Sequence, residues 1–247
     1  MADYSQLMYD IEVHSAEGLQ KYFDKGGNPN EVLNGVPLFT TLVEMYLRSP
    51  LFKECVRVFI KHGLNFADQA FLAVLSDNAE KLEQELKVNA NIVHQKYSVF
   101  RNTFTPLDGA TLLHYCAEYN HLDCAKVLVL HGADVNAKAG LDEHGFGGHT
   151  PIFHAVAQHN NNSADVLHFL LENSADALFT VKGLIWGKGY EWETFIPSVN
   201  PINYAMMGLL PQMRRNPVMI AHNVSLLLRH AYGINYQLPN IPNAYLK

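Results

Sequence analysis

Long apolar runs are missing from this 247-residue chain, and charge is scarce. No stretch approaches the roughly 18 residues that a membrane span needs, so no bilayer crossing is expected. Only 17% of residues are charged against 48% apolar, where ordinary globular chains carry about 25% charge. That balance argues against intrinsic disorder. A basic surplus is also missing. The formal charge is −6, and nucleic-acid binding, which requires a positive face to neutralise phosphates, is not expected. Acidic residues are absent from one end: residues 194–247 hold no Asp or Glu but carry Arg214, Arg215, Arg229 and Lys247, which leaves that end at +4 and the rest at −10. Cysteine is sparse. Cys55, Cys116 and Cys124 are odd in number and in no metal-ligand spacing, which fits a reduced, cytoplasmic compartment. Met1-Ala2-Asp3-Tyr4 lacks the basic region and apolar stretch of a secretory signal.

Catalytic signatures are missing too. There is no G-x-S-x-G, no H-E-x-x-H and no phosphate-binding loop; Gly187-Lys188-Gly189 is only a fragment of a nucleotide-binding pattern. Asp142-Glu143-His144 sits among Gly140, Gly145, Gly147 and Gly148, where carboxylates are ordinarily solvated. His144, His149 and His154 recur every five residues, which suits neither one helix face nor a tight zinc knuckle. The reading is therefore non-catalytic, with no metal, no cofactor and no obligatory small-molecule ligand. An enzyme or metal protein built on those three histidines stays as the alternative.

What is present is a repeat. Gly109 to Lys138 reads GATLLHYCAEYNHLDCAKVLVLHGADVNAK. A short apolar helix (Leu112, Leu113, Cys116, Ala117) meets a polar break at Asn120-His121. A second helix follows with Leu122, Ala125, Val127, Leu128 and Leu130, and Gly132 suits the left-handed residue that closes it. A second unit opens Gly148-His149-Thr150-Pro151-Ile152-Phe153 and closes Asn173-Ser174-Ala175-Asp176. The two starts lie 39 residues apart and the two turns 42, and the run Asn160-Asn161-Asn162 accounts for the extra 3. Weaker units close near Gly26, Gly63, Asn89 and Ala231. A helix pair of this length cannot bury both apolar faces alone, so neighbours must stack and share one core. Cys55 and Cys124 each precede a turn glycine by eight residues; equivalent columns two units apart are too distant for a disulfide and read as small core positions.

The best unit resembles an ankyrin repeat. Thr111-Leu112-Leu113-His114 stands where that family has Thr-Pro-Leu-His, and Gly132-Ala133-Asp134-Val135-Asn136 matches its Gly-Ala-Asp-x-Asn turn. The resemblance implies an all-α solenoid of about six irregular helix-turn-helix repeats with extended β-hairpin loops. Its units are residues 5–34, 35–67, 68–93, 109–138, 148–177 and 200–236, within one domain spanning 1–247. Long loops fall at 94–108, 139–147 and 177–199, with a tail at 237–247. His114 is expected to pack and to bond backbone groups, and His62 and His131 to meet free carbonyls at helix ends.

The resemblance also implies a scaffold that binds a protein partner through its concave face and hairpin loops. The partner-facing positions it transfers are Asp108, Ala110, Glu118 and Tyr119, then Phe146, His149, Ala157 and Gln158. The segment 182–195 holds both tryptophans. Trp186, Tyr190 and Trp192 are expected to be either binding anchors or a cap over the last repeat. With Phe100, Phe104 and Phe146 they form an expected apolar strip across three loops. A further alternative makes Asn136 a target for Asn hydroxylation, since Leu128 and Asp134-Val135-Asn136 resemble the motif modified in ankyrin repeats of animal proteins.

Overall fold

The computed structural model describes residues 4–100, 105–156, 158, 161–186, 189, 191, 193–207 and 215–237. Among them are twelve α-helices in six consecutive pairs. These are α1 (Tyr4–Glu12) and α2 (Ala16–Asp24), α3 (Leu38–Glu44) and α4 (Phe52–Lys61), and α5 (Gln69–Leu75) and α6 (Ala79–Val88). They continue as α7 (Leu112–Tyr119) and α8 (Leu122–Leu130), α9 (Pro151–Val156) and α10 (Ala164–Glu172), and α11 (Pro201–Met207) and α12 (Pro217–Tyr232). Two small antiparallel sheets join them, β1 (Val32–Leu33) with β2 (Val36–Pro37) and β3 (Val181–Trp186) with β4 (Thr194–Val199). The chain is mostly helical, and its strands are confined to these hairpins.

Local chemistry explains the elements. In α4 the buried residues are Phe52, Cys55, Val56 and Phe59, the i, i+3, i+4, i+7 stripe of an amphipathic helix. Asp68 caps α5 by accepting from Phe71 N at 2.8 Å, and Asn78 caps α6 through Lys81 N at 3.0 Å. Gly132 closes α8 at φ +88°, where a β-branched residue fits poorly. Ser174 takes the same left-handed role after α10 at φ +67°. The last turn is displaced from its expected place: α12 runs to Tyr232 and is closed by Gly233 at φ +68°, not at Ala231.

First helices stack in one row, α5 on α7, α7 on α9 and α9 on α11, and second helices in another, α6 on α8 and α8 on α10. Aromatic rings carry the core between the early pairs. Phe39 meets Phe59 at 5.4 Å and Phe66 at 5.6 Å; Phe66 meets Phe71 at 5.9 Å, and Phe71 meets Tyr115 at 4.5 Å. Phe100 belongs to this cluster, buried against Phe39, Phe66 and Phe71. It is core, not the solvated loop aromatic expected, because the loop after the 3-10 turn (Ala90–His94) folds back over α5. All three cysteines are free and buried.

Candidate partner-binding surface

Three loops lie side by side and are joined through their backbones. Tyr97 N donates to Ala110 O at 2.8 Å, Gly140 N to Asp108 O at 2.9 Å, and Gly147 N to Gly183 O at 2.9 Å. The 139–148 loop is itself a tight hairpin, with Gly148 N on Gly140 O at 2.9 Å and Asp142 N on Phe146 O at 2.9 Å. Gly109, at φ +63°, approaches Gly140 so closely that a Cβ on it would lie 2.6 Å from the Gly140 Cα. Only glycine allows this contact.

The third loop is the β3–β4 hairpin, paired from Val181–Val199 to Trp186–Thr194. Val181, Leu184 and Val199 are buried, so its base is part of the core. Phe195 is 47% exposed and sits 4.5 Å from the half-buried ring of Phe146 on the neighbouring loop. These two aromatics form a continuous apolar step across two loops. Phe195 was missing from the transferred positions; its place opposite Ile185 in the strand pairing is what brings it to Phe146.

The transferred positions divide. Asp108 is exposed at the loop edge, and Phe146 flanks the hairpin. Ala110, Glu118, Tyr119, His149 and Gln158 are buried. Every residue of α7 and of α9 is buried, so these first helices have no exposed side among the described residues. Ala157, Phe104, Tyr190 and Trp192 lie outside the described residues, as does the side chain of Trp186.

A polar network fills the space behind those buried helices. Glu118 Oε1 accepts from Arg48 Nε at 2.7 Å, and Oε2 accepts from His154 Nδ1 at 2.8 Å and Gln158 Nε2 at 3.1 Å. His154 Nε2 faces His149 Nε2 at 3.1 Å, and His149 Nε2 donates to Pro106 O at 2.7 Å. His114 takes its expected role: Nδ1 accepts from Thr111 N at 3.1 Å, and Nε2 donates to His149 O at 3.2 Å. Partners that can only donate or only accept thus fix each tautomer. Burial pushes Glu118 up, but Arg48 first and His154 next outweigh it and hold it at about 2. Burial, reinforced by His154, pushes His149 down to about 3.

His144 stays apart from this network. It is exposed and lies 3.6 Å from the Glu143 carboxylate, so the five-residue series does not converge. No group of three His, Cys, Asp or Glu among the described residues is arranged to hold a metal ion. His131 meets Glu83 at 2.8 Å, and His62 meets Gln20 at 2.6 Å, so both ends find side chains of the preceding outer helix instead of carbonyls. Asn136 bridges successive turns, donating to Ser174 O at 3.1 Å and accepting from Asp176 N at 2.8 Å. Asn30 does the same for Gly63 O and Asn65 N.

Recurring turn asparagines, glycine-closed helices and stacked pairs agree with a comparison at the level of sequence. Residues 70–180 match the family model for ankyrin repeats in three copies. Residues 70–180 carry ankyrin repeats. Two curated relatives, both named NF-kappa-B inhibitor cactus, from Drosophila yakuba and Drosophila melanogaster, are each 38% identical over 65 residues, 26% of this chain. The matched segment spans 12% and 11% of those proteins' own lengths. No helix among the described residues is long and apolar enough to cross a membrane.

Proposed function

We propose that this ankyrin chain is a non-catalytic protein-interaction module, one repeat domain of six units, that captures a protein partner along its joined loop edge. The observation that carries this reading is the backbone-bonded row of loops 97–110, 139–148 and 181–199, with Phe146 and Phe195 in contact at 4.5 Å. Loops fixed to one another form a preformed surface, which docks with little ordering cost. Exposed aromatics on such a surface are the residue type that anchors interfaces. The curated relatives are named NF-kappa-B inhibitor. Trp186, Tyr190 and Trp192, which lie in sequence at and between the two strands, are proposed as further anchors, with Asp108 at the edge. Three free cysteines suit a reduced compartment such as the cytoplasm.

The test uses immobilised chain to recover a partner, identified by mass spectrometry, and then titrates it against Phe146→Ala, Phe195→Ala and Trp186→Ala. Loss of about 2 kcal/mol or more of binding with an unchanged melting temperature supports the reading. Unchanged affinity in all three, with lowered thermal stability, assigns the hairpin to a structural cap and removes this edge from the binding surface.

A further inference from the structure

The segment between α3 and α4, residues 45–51, crosses the first-helix row as a strap. It reaches α7 through Arg48, which is buried, and the 157–163 connection through Asn162 Nδ2, which donates to Arg48 O at 2.5 Å. What receives Arg48 is a built site. The Glu118 carboxylate is fully buried and held in place by His154 and Gln158 from the next repeat. The Arg48 guanidinium carbon stands 4.8 Å from the centre of the Tyr119 ring, a cation–π arrangement. That ring is stacked on Phe52 at 4.1 Å and tied by its hydroxyl to Val43 O at 2.7 Å. A carboxylate beside a fixed aromatic face is a receptor for a planar guanidinium.

The resident fits it incompletely. Among the described residues only Nε reaches Glu118; Nη1 turns back to the strap's own carbonyls at Met45 and Leu47, and Nη2 has no hydrogen-bond partner there. The two-pronged pairing that arginine makes best is therefore not realised. The rest of the strap is held by polar contacts, Ser49 Oγ with His14 Nδ1 at 2.9 Å and Tyr46 hydroxyl with Glu12 at 3.1 Å. Two of its large apolar side chains face solvent, Tyr46 71% exposed and Leu51 53%, while Met45 packs against the core. A buried ion pair gains little net free energy, because desolvation offsets attraction. Such a strap can exchange.

We propose that Glu118 and the Tyr119 ring form an arginine-binding site of which Arg48 is the resident occupant, and that an arginine-bearing segment of a partner protein takes this site when strap 45–51 leaves. This deepens the binding-module reading, on which it rests, by naming a ligand class and a second, closed binding place.

The probe is a synthetic peptide of residues 45–51, compared with the same peptide carrying alanine for the arginine. Arg48→Ala protein should bind the arginine peptide about tenfold more tightly than the alanine peptide and about tenfold more tightly than unmodified protein does, since Arg48 no longer competes. Arg48→Ala combined with Glu118→Gln should lose that preference. On unmodified chain, which does not depend on a variant folding, saturating arginine peptide should raise hydrogen exchange of the strap amides about fivefold or more. Equal binding of the two peptides, equal binding to unmodified and Arg48→Ala protein, or unchanged strap exchange overturns the proposal. Those results would leave partner capture through Phe146 and Phe195 untouched, so the two readings fail separately.

Discussion

Leu128 illustrates what a single side chain does in a shared core. It is fully buried on α8, and truncation leaves a void bounded by neighbouring helices that cannot collapse independently. Leu128→Ala is expected to lower unfolding free energy by about 2–5 kcal/mol, read from the urea midpoint. Titration gives a second expectation at this scale. The His149 pKa is depressed from its ordinary 6.5 to about 3, by burial first and His154 next. Between those values the unfolded chain binds a proton that the folded chain does not. The stability His149 contributes is complete above pH 6.5 and drains as pH falls toward 3. Glu118 adds a lower limb, present above its ordinary 4.5 and lost toward about 2. The urea midpoint should therefore fall from pH 7 to pH 4, and His149→Gln, which keeps an N–H for Pro106 O, should flatten the slope. An identical slope in the variant would show that other groups carry the acid sensitivity.

Among the elements, the junction of the first two loops is set by one close backbone approach. Gly109→Ala would place a methyl 2.6 Å from Gly140 and add strain at positive φ. It should destabilise by about 1–3 kcal/mol and release the amide of Gly140 to fast hydrogen exchange. Gly132→Val meets open space and suffers from backbone strain alone, so its effect should be smaller and confined to the end of α8. Equal exchange of Gly140 in Gly109→Ala and the unmodified chain would count against the joined-edge description. Much at this scale was legible beforehand. The core column at Cys55 and Cys124 and the turn residues Gly26, Gly63 and Gly132 announce themselves through spacing and through the left-handed conformation glycine adopts freely. A hairpin within the 177–199 loop was implied by the family resemblance, and strands 181–186 and 194–199 form it. The fate of Glu118 and Tyr119 was not. On α7 they occupy positions that read as outward-facing, and the arginine that makes their burial tolerable lies 70 residues away on a different pair. Phe100 misled for the same reason: a loop aromatic is indistinguishable by sequence from one that returns to the core.

For the molecule as a whole, the three cysteines are free within an apolar and aromatic core, and folding is expected to need neither a metal nor a disulfide. Chelator and reductant together should leave the helical circular dichroism spectrum unchanged; loss of helix in either reagent would reveal a dependence not visible in the side-chain contacts. The strap bears on how such a chain folds. Stacked repeats ordinarily contact only their neighbours, so they can nucleate anywhere and fray from either end. Here Arg48 is tied to Glu118 across 70 residues, and Asn162 to the Arg48 carbonyl across 114, so the second helix pair is bound to the fourth and fifth over the top of the third. Contacts of that range raise contact order and must await closure of a long loop. The chain should consequently unfold in one transition where a simple array would peel apart in steps, and refolding should show a late phase that Arg48→Ala abolishes.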